Sequence, residues 1–207
     1  MGSKEYFDDV AERWDRMRED FFPEAVGDKV LSVAAVQTGK IAADIGSGTG
    51  FITEGLIRKG LHVIAVDQSE AMLAGMRRKF SSTAGIDFRI GDGEKLPIPD
   101  KAADYVFANM YLHHVEFPLK VIKEMVRILR LGGKLVITDL DEHTFEFLKT
   151  EQHDCWMGFK RENIRKWFAE AGLKNVIVDC VGEDCCAQSS RGDEYASISI
   201  FVASGEK

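Results

Sequence analysis

AADIGSGTGFITEGL, residues 42–56, is an apolar run that breaks at three alternate glycines, Gly46, Gly48 and Gly50, and then resumes with helical spacing. Residues without a Cβ let the backbone turn tightly and let a ligand approach main chain that a side chain would shield. Strand, glycine loop and helix in that order describe a binding loop at the carboxyl end of a first strand.

The same alternation extends outward from the loop. KIAADI (40–45) reads as a strand, TEGLIRKG (53–60) as a helix closed by Gly60, LHVIAVD (61–67) as a strand, and SEAMLAGMRRKF (69–80) as a helix capped by Ser69. IDFRI (86–90) and ADYVFANM (103–110) are further strands, EFPLKVIKEMVRILRLGG (116–133) a helix ending in glycines, and KLVITDL (134–140) a fifth strand. RENIRKWFAEAGL (161–173) has an amphipathic helical pattern, after which KNVIVDCV (174–181) and YASISIFVAS (195–204) follow as two strands with no helix between them. A parallel return needs a crossover, so this last pair is expected to run antiparallel. Upstream, KEYFDDVAERWDRMRED (4–20) places Tyr6, Val10 and Trp14 at helical spacing, and Pro23 suits the first turn of a second helix reaching about Val36.

The expected architecture is an open, doubly wound α/β fold: a seven-stranded, mostly parallel sheet with an antiparallel last strand, helices on both faces, and ligands outside the carboxyl ends of the strands. At 207 residues and 45% hydrophobic, residues 1–207 are read as a single domain, with 1–36 as leading helices that can form a lid. A formal net charge of -7 argues against a nucleic-acid partner and for a small molecule. No stretch approaches the roughly 20 apolar residues of a membrane span, and MGSKEYFDDV has no apolar signal core, so a cytoplasmic location is expected. Four cysteines, Cys155, Cys180, Cys185 and Cys186, fit reduced thiols rather than a disulfide framework.

Two ligand classes compete for the loop. A dinucleotide fingerprint, G-x-G-x-x-G, places its third glycine where this chain has Phe51; here the third glycine comes one residue early. Asp67, ending the second strand, can accept both hydroxyls of a ribose, a feature common to both classes. GDGEKLP (91–97), after the third strand, offers an acid and backbone amides suited to an adenine edge, which favours S-adenosylmethionine.

With these residues in place the chain resembles the class I S-adenosylmethionine-dependent methyltransferases, in particular the small-molecule branch that includes quinone-biosynthesis and arsenite methyltransferases. The resemblance runs through YFDDVAERWD, ADIGSGTG, VIAVDQSEAML, GDGEKLP, ADYVFANMYLHHV and EMVRILRLGGKLVITDL. It implies S-adenosyl-L-methionine as cofactor and a small-molecule methyl acceptor. By the same resemblance Asp44, Gly46, Ser47 and Gly48 hold the methionine part, Asp67 the ribose, Gln68 and Met72 the adenine surroundings, and Asp92 with Gly93 the adenine edge. Asn109 lines the floor near the sulfonium, and the family's antiparallel seventh strand lies between strands five and six.

Other readings of these residues remain open. Asp67 could cap the following helix, Asp92 could be a turn residue before Gly93, and Met72 could be core filler. Tyr6 and Trp14 either pin the first helix to the body or belong to a lid that meets the substrate. In-line methyl transfer chiefly needs alignment and exclusion of water, with a base only where the acceptor loses a proton; His113 and His114 are the candidates. Cys155, Cys185 and Cys186 are candidate acceptor contacts, since a loop between strands six and seven would bring thiols to the donor's edge of the sheet. Converging thiolates would suit a soft metalloid such as arsenite. An organic acceptor and a non-catalytic donor- or metal-binding module are the other readings. With no C-x-x-C pair and no H-E-x-x-H signature, no protein-bound metal is expected.

Overall fold

A computed structural model describes residues 3–207. Helices α1 (Ser3–Val10), α2 (Trp14–Phe21) and α3 (Ala25–Ala34) precede the sheet. Strand β1 (Ile41–Ile45) is followed by α4 (Phe51–Arg58), β2 (His62–Asp67), α5 (Glu70–Lys79), β3 (Ile86–Ile90) and β4 (Ala103–Asn109). A single 3-10 turn (Leu112–His114) leads to α6 (Pro118–Ile128), β5 (Leu129–Leu140), α7 (Glu146–Glu151), α8 (Arg161–Glu170), β6 (Lys174–Gln188) and β7 (Tyr195–Glu206).

One seven-stranded sheet has the order β3-β2-β1-β4-β5-β7-β6. Strands β1 to β5 pair in parallel, whereas β7 runs antiparallel to both β5 and β6. The expected doubly wound sheet, its reversed last strand and that strand's place between five and six are all found. Order reverses between β2-β1 and β4, so the chain ends of β1 and β4 part there and leave the crevice in which such sheets bind ligands.

The apolar runs of the central strands follow from burial on both faces. One core, with Val106, Met125, Leu135, Phe168 and Phe201, lies on the side of α6 and α8. Another, with Val30, Leu56, Val63, Phe107 and Val202, lies on the side of α3 and α4. Ser69 caps α5 as its sequence predicts, its hydroxyl accepting the Met72 amide at 3.1 Å. Among the described residues no helix is long and apolar enough to cross a membrane.

Three expected boundaries differ. The first helix is two, because turns at 11–13 let α2 change direction and place Trp14 over the glycine loop. The helix expected to reach Gly133 stops at Ile128: Leu129 is already extended and pairs with Ala103. At Gly133 a Cβ would stand 2.8 Å from the Asp104 carbonyl oxygen, so close strand packing, rather than a helix end, explains that glycine. Finally, β6 continues to Gln188 through an irregularity between Cys180 and Asp184, where Gly182 has φ +92°. Cys185 and Cys186 therefore lie in a strand, not in a loop, and point to opposite faces. The expected convergence of the thiols fails for this pair.

Candidate functional site

The glycine loop is fixed by its neighbours before any ligand arrives. Gly46 and Ser47 donate their amides to the Val66 carbonyl at 2.9 and 3.1 Å, tying the loop to β2. Gly46, Gly48 and Gly50 all have positive φ (67°, 53° and 95°), conformations that tax any residue with a Cβ. At Gly46 a Cβ would also stand 2.2 Å from Cδ2 of Tyr111, whose ring crosses the loop.

Asp67 joins the loop to the next helix. Its Oδ2 accepts the Gly48 amide at 2.8 Å and its Oδ1 the Ser69 amide at 2.8 Å. Each oxygen keeps a second lone pair, so this arrangement leaves acceptor capacity for a pair of hydroxyls. Burial holds its carboxyl above the usual range, with the Ser69, Gly48 and Gln68 amides opposing. Asp67 is thus not the cap of α5; Ser69 has that role.

Behind the loop, Asp44 is buried and accepts the Thr53 hydroxyl at 2.7 Å. Burial pushes its carboxyl up to about 6, against the Thr53 hydrogen bonds, and the Asp67 charge adds to the rise. The Ser47 hydroxyl is buried without a hydrogen-bond partner. A partnerless buried hydroxyl is costly unless a ligand or water serves it.

These groups line one shared cavity. Of the residues singled out in the sequence, Asp44, Gly46, Ser47, Gly48, Asp67, Gln68, Met72, Asn109, Trp14 and His114 reach its wall. Asn109 is positioned by the Thr138 hydroxyl, which donates to its Oδ1 at 2.7 Å. Met72 is also buried against Val10 and Ala11 of the leading segment, so wall and core roles coincide there.

Asp92 and Gly93 do not reach the wall. Asp92 organises a turn, its Oδ1 accepting the Glu94 amide at 2.9 Å and its carbonyl the Lys95 amide at 3.1 Å. The Tyr111 hydroxyl fills the space beside Gly93, where a Cβ would be 2.4 Å away. Tyr6 stays off the wall as well, its ring 5.3 Å from Phe7 and 5.6 Å from His153.

Helices α1 and α2 roof the cavity. Asp8 accepts the Ser69 hydroxyl at 2.6 Å, Asp15 accepts the Thr49 hydroxyl, and Phe7 packs edge-on against Trp14 at 5.2 Å and His114 at 4.9 Å. Arg18, 8% exposed, lies 4.5 Å over the Phe51 ring and is paired with Glu24 at 2.7 Å. Phe7, Arg18, Phe22, Phe51 and Tyr111 were not singled out in the sequence. Only the i, i+4 spacing of Trp14, Arg18 and Phe22 hinted at them.

The two histidines part company. His113 is buried behind the wall, its Nδ1 2.7 Å from Oδ1 of the fully buried Asp139. Burial opposes its charged form, but the Asp139 and Asp154 carboxylates outweigh burial and hold it up to about 9. His114 faces the cavity; burial, with the charges of His113 and His153, keeps it well below the ordinary histidine value.

The thiols are dispersed. Cys155 is exposed, its Sγ donating to the His114 carbonyl at 3.3 Å; Cys180 contacts the Ser199 hydroxyl at 3.4 Å. Cys185 is buried among Phe22, Leu140 and Phe147, where burial pushes its thiol up to about 12. Cys186 sits on the opposite face beside Phe21 and Tyr195.

Known proteins resemble this chain in sequence and in fold. Residues 43–137 match the family model described as a methyltransferase domain. The chain is 34% identical to the demethylmenaquinone methyltransferase of Renibacterium salmoninarum over 198 residues, covering 87% of this chain and 77% of that protein. It is 27% identical to the malonyl-[acyl-carrier protein] O-methyltransferase of a Marinomonas species, covering 81% of this chain but 64% of that relative's length. Among solved structures, a chain from the Haloferax volcanii complex with the Trm112 methyltransferase activator superposes with a TM-score of 0.79 at 20% identity, over 97% of this chain and 96% of that one.

Proposed function

The chain belongs to the class I S-adenosylmethionine-dependent methyltransferases, and from that premise we propose that it methylates a small, planar organic acceptor, with a hydroquinone-type ring as the first choice. The observation that carries this reading is the composition of the cavity wall: Phe7, Trp14, Phe22 and Phe51 are apolar plates, and Arg18 is the guanidinium set among them. Aromatic plates suit a flat acceptor, and a guanidinium suits one that carries an oxyanion. The quinone-type relative points the same way.

The sulfonium donor supplies an activated methyl carbon; this chain supplies the grip, the alignment and the dry surroundings. Asp67 keeps acceptor capacity for ribose hydroxyls, while Asp44 and the unpartnered Ser47 hydroxyl suit the methionine ammonium and carboxylate. Asn109, held by Thr138, sets the floor. Helices α1 and α2 exclude water, which strengthens the charge interactions beneath them. A proton leaving the acceptor would go to His114, the histidine of the pair that touches the cavity.

Arsenite methylation is the second reading, and the scattered thiols give it no geometric support. The test is a mass-spectrometric screen with isotope-labelled donor against hydroquinones, carboxylates, thiols, arsenite and cell extract. A labelled hydroquinone supports the proposal. Label only on a carboxylate, a thiol or arsenite overturns the acceptor class, and donor binding without label transfer to any fraction favours a binding module.

A further inference from the structure

Behind the His114 side of the cavity wall, the neighbouring His113 and His114 and the sequence-distant Asp154 leave their polar atoms facing one another. His113 Nε2 lies 3.9 Å from Asp154 Oδ1, and His114 Nδ1 lies 3.4 Å from the same oxygen. One ligand-type atom from each of the three falls within 4.8 Å of the others. Their side chains are only 5%, 8% and 1% exposed. Despite that burial, His114 Nδ1 and Asp154 Oδ1 have no hydrogen-bond partner. Two buried polar atoms left unpartnered side by side are costly, and a shared cation would serve both.

We infer that His113, His114 and Asp154 form a binding site for one divalent first-row transition cation, typified by Zn²⁺. Two imidazole nitrogens and a carboxylate oxygen are the donor set such ions take, and three protein ligands leave a position for water or an acceptor oxygen. Ligand atoms in a tetrahedral zinc site lie roughly 3.3 Å apart, so the 3.4 and 3.9 Å pairs need little adjustment.

A supporting shell is already built. Asp139 accepts the Nδ1 hydrogen of His113 at 2.7 Å and also the His113 and Leu140 amides at 3.3 and 2.7 Å, so Nε2 of His113 is turned toward Asp154, and an ion bound there would displace the proton this nitrogen carries in the free protein. A carboxylate behind a ligating histidine fixes its tautomer and raises its basicity. Asp154 is held from its own side: the Cys155 and Trp156 amides donate to the His113 carbonyl at 2.8 and 3.1 Å, and the Trp156 indole donates to the Val115 carbonyl at 2.9 Å. The ligand set lacks a thiol, since the Cys155 Sγ is turned to the His114 carbonyl, and this argues against a soft metalloid at the same place.

The site and the methyl-transfer reading meet only at His114. With Nδ1 on an ion, that ring carries its proton on Nε2 and ceases to be a base; the ion then takes over acidification of an acceptor hydroxyl.

The test is metal binding, read without turnover. Chelator-treated full-length protein is titrated with Zn²⁺ by calorimetry and with Co²⁺ by visible absorption, and donor binding is measured on the same samples. The expected result is one ion per chain, with affinity reduced at least tenfold in Asp154→Asn and in His114→Gln. Asp139→Asn, which touches no ion, should weaken binding 10–100-fold. Circular dichroism checks each fold, and either ligand variant suffices if the other does not fold. His62→Ala and Cys155→Ser should bind as wild type does. No stoichiometric uptake, uptake that survives both ligand substitutions, or uptake lost in Cys155→Ser overturns the inference. Donor binding without metal binding overturns this site alone; metal binding without donor binding counts against the donor assignments alone.

Discussion

Asp67 Oδ2 accepts the amide of Gly48 at 2.8 Å, so one carboxylate holds the glycine loop in place while the same residue lines the cavity. Replacing Asp67 by alanine removes the loop anchor and, on the proposed reading, the ribose acceptor. Charge-assisted hydrogen bonds contribute about 1.5–3 kcal/mol each, so donor affinity should fall by at least roughly tenfold. Calorimetric titration with S-adenosylmethionine checks this, and an unchanged dissociation constant would remove Asp67 from the site.

Gly46 and Tyr111 give a second, separable prediction. An alanine at Gly46 meets the Tyr111 ring at 2.2 Å and also pays for a φ of +67°, whereas at Gly39 (φ +77°) a Cβ meets nothing within 4 Å. Backbone strain alone costs about 1–2 kcal/mol. Gly39→Ala should lose that much by denaturant unfolding, and Gly46→Ala more, with weaker donor binding as well. Tyr111→Ala in the Gly46→Ala background should recover part of the difference; equal losses at the two glycines would show that the Tyr111 contact is immaterial.

What could be read from sequence was local. The turn at Gly46, Gly48 and Gly50, the acid ending β2 and the cap at Ser69 each depend on residues within a few positions of one another, and each is where it was expected. Tyr111 over Gly46, and Asp154 beside His113 and His114, are products of topology: β4 and the segment after β5 meet only once the sheet forms. The Gly-Glu-Asp at 182–184 reads as a loop because charge and glycine mark turns, yet β7 keeps pairing beyond it and absorbs it as an irregularity. Cys185 and Cys186 were misplaced for that reason.

Those two cysteines now carry opposite expectations. Serine at the buried Cys185 puts a hydroxyl among Phe22, Leu140 and Phe147 and should cost about 1–2 kcal/mol of stability. Serine at the half-exposed Cys186 should be close to neutral. Thermal unfolding separates the two, and neither change should alter which acceptor is methylated; a changed product profile would restore the thiols to the site.

Asp44 links donor binding to pH. Its folded-state value of about 6 lies above the unfolded value near 3.9, so the folded chain binds the proton more tightly. Burying the ionised form therefore costs stability above about pH 6, and the cost is relieved as pH falls toward 4. Donor affinity should move the other way if the ionised carboxylate receives the methionine ammonium, falling by up to about tenfold per unit below pH 6. Asp44→Asn should flatten both trends while weakening binding at pH 7.5. Calorimetry and thermal melts between pH 5 and 7.5 read the two slopes, and a wild-type donor affinity independent of pH would detach Asp44 from the ammonium.

The roof helices decide whether the leading segment is a lid or a fixed brace. Asp8 holds α1 to the cap of α5 through Ser69, and Asp15 holds α2 to the glycine loop through Thr49, so both attachments end on elements that line the cavity. At about 1 kcal/mol per hydrogen bond, Asp8→Ala or Asp15→Ala should raise the donor's dissociation rate roughly fivefold, and the double substitution about 25-fold. Trp14→Ala removes the indole that stands over Gly48 and should do at least as much. In the wild type, amides of 4–21 should exchange with solvent more slowly once donor is bound, because closure and binding stabilise one another. Stopped-flow displacement and hydrogen exchange measure these directly. Exchange in α1 and α2 that ignores the donor, together with unaltered dissociation in all three variants, would make the segment a brace: its contacts would then serve stability alone, and the exclusion of water would have to come from the acceptor itself.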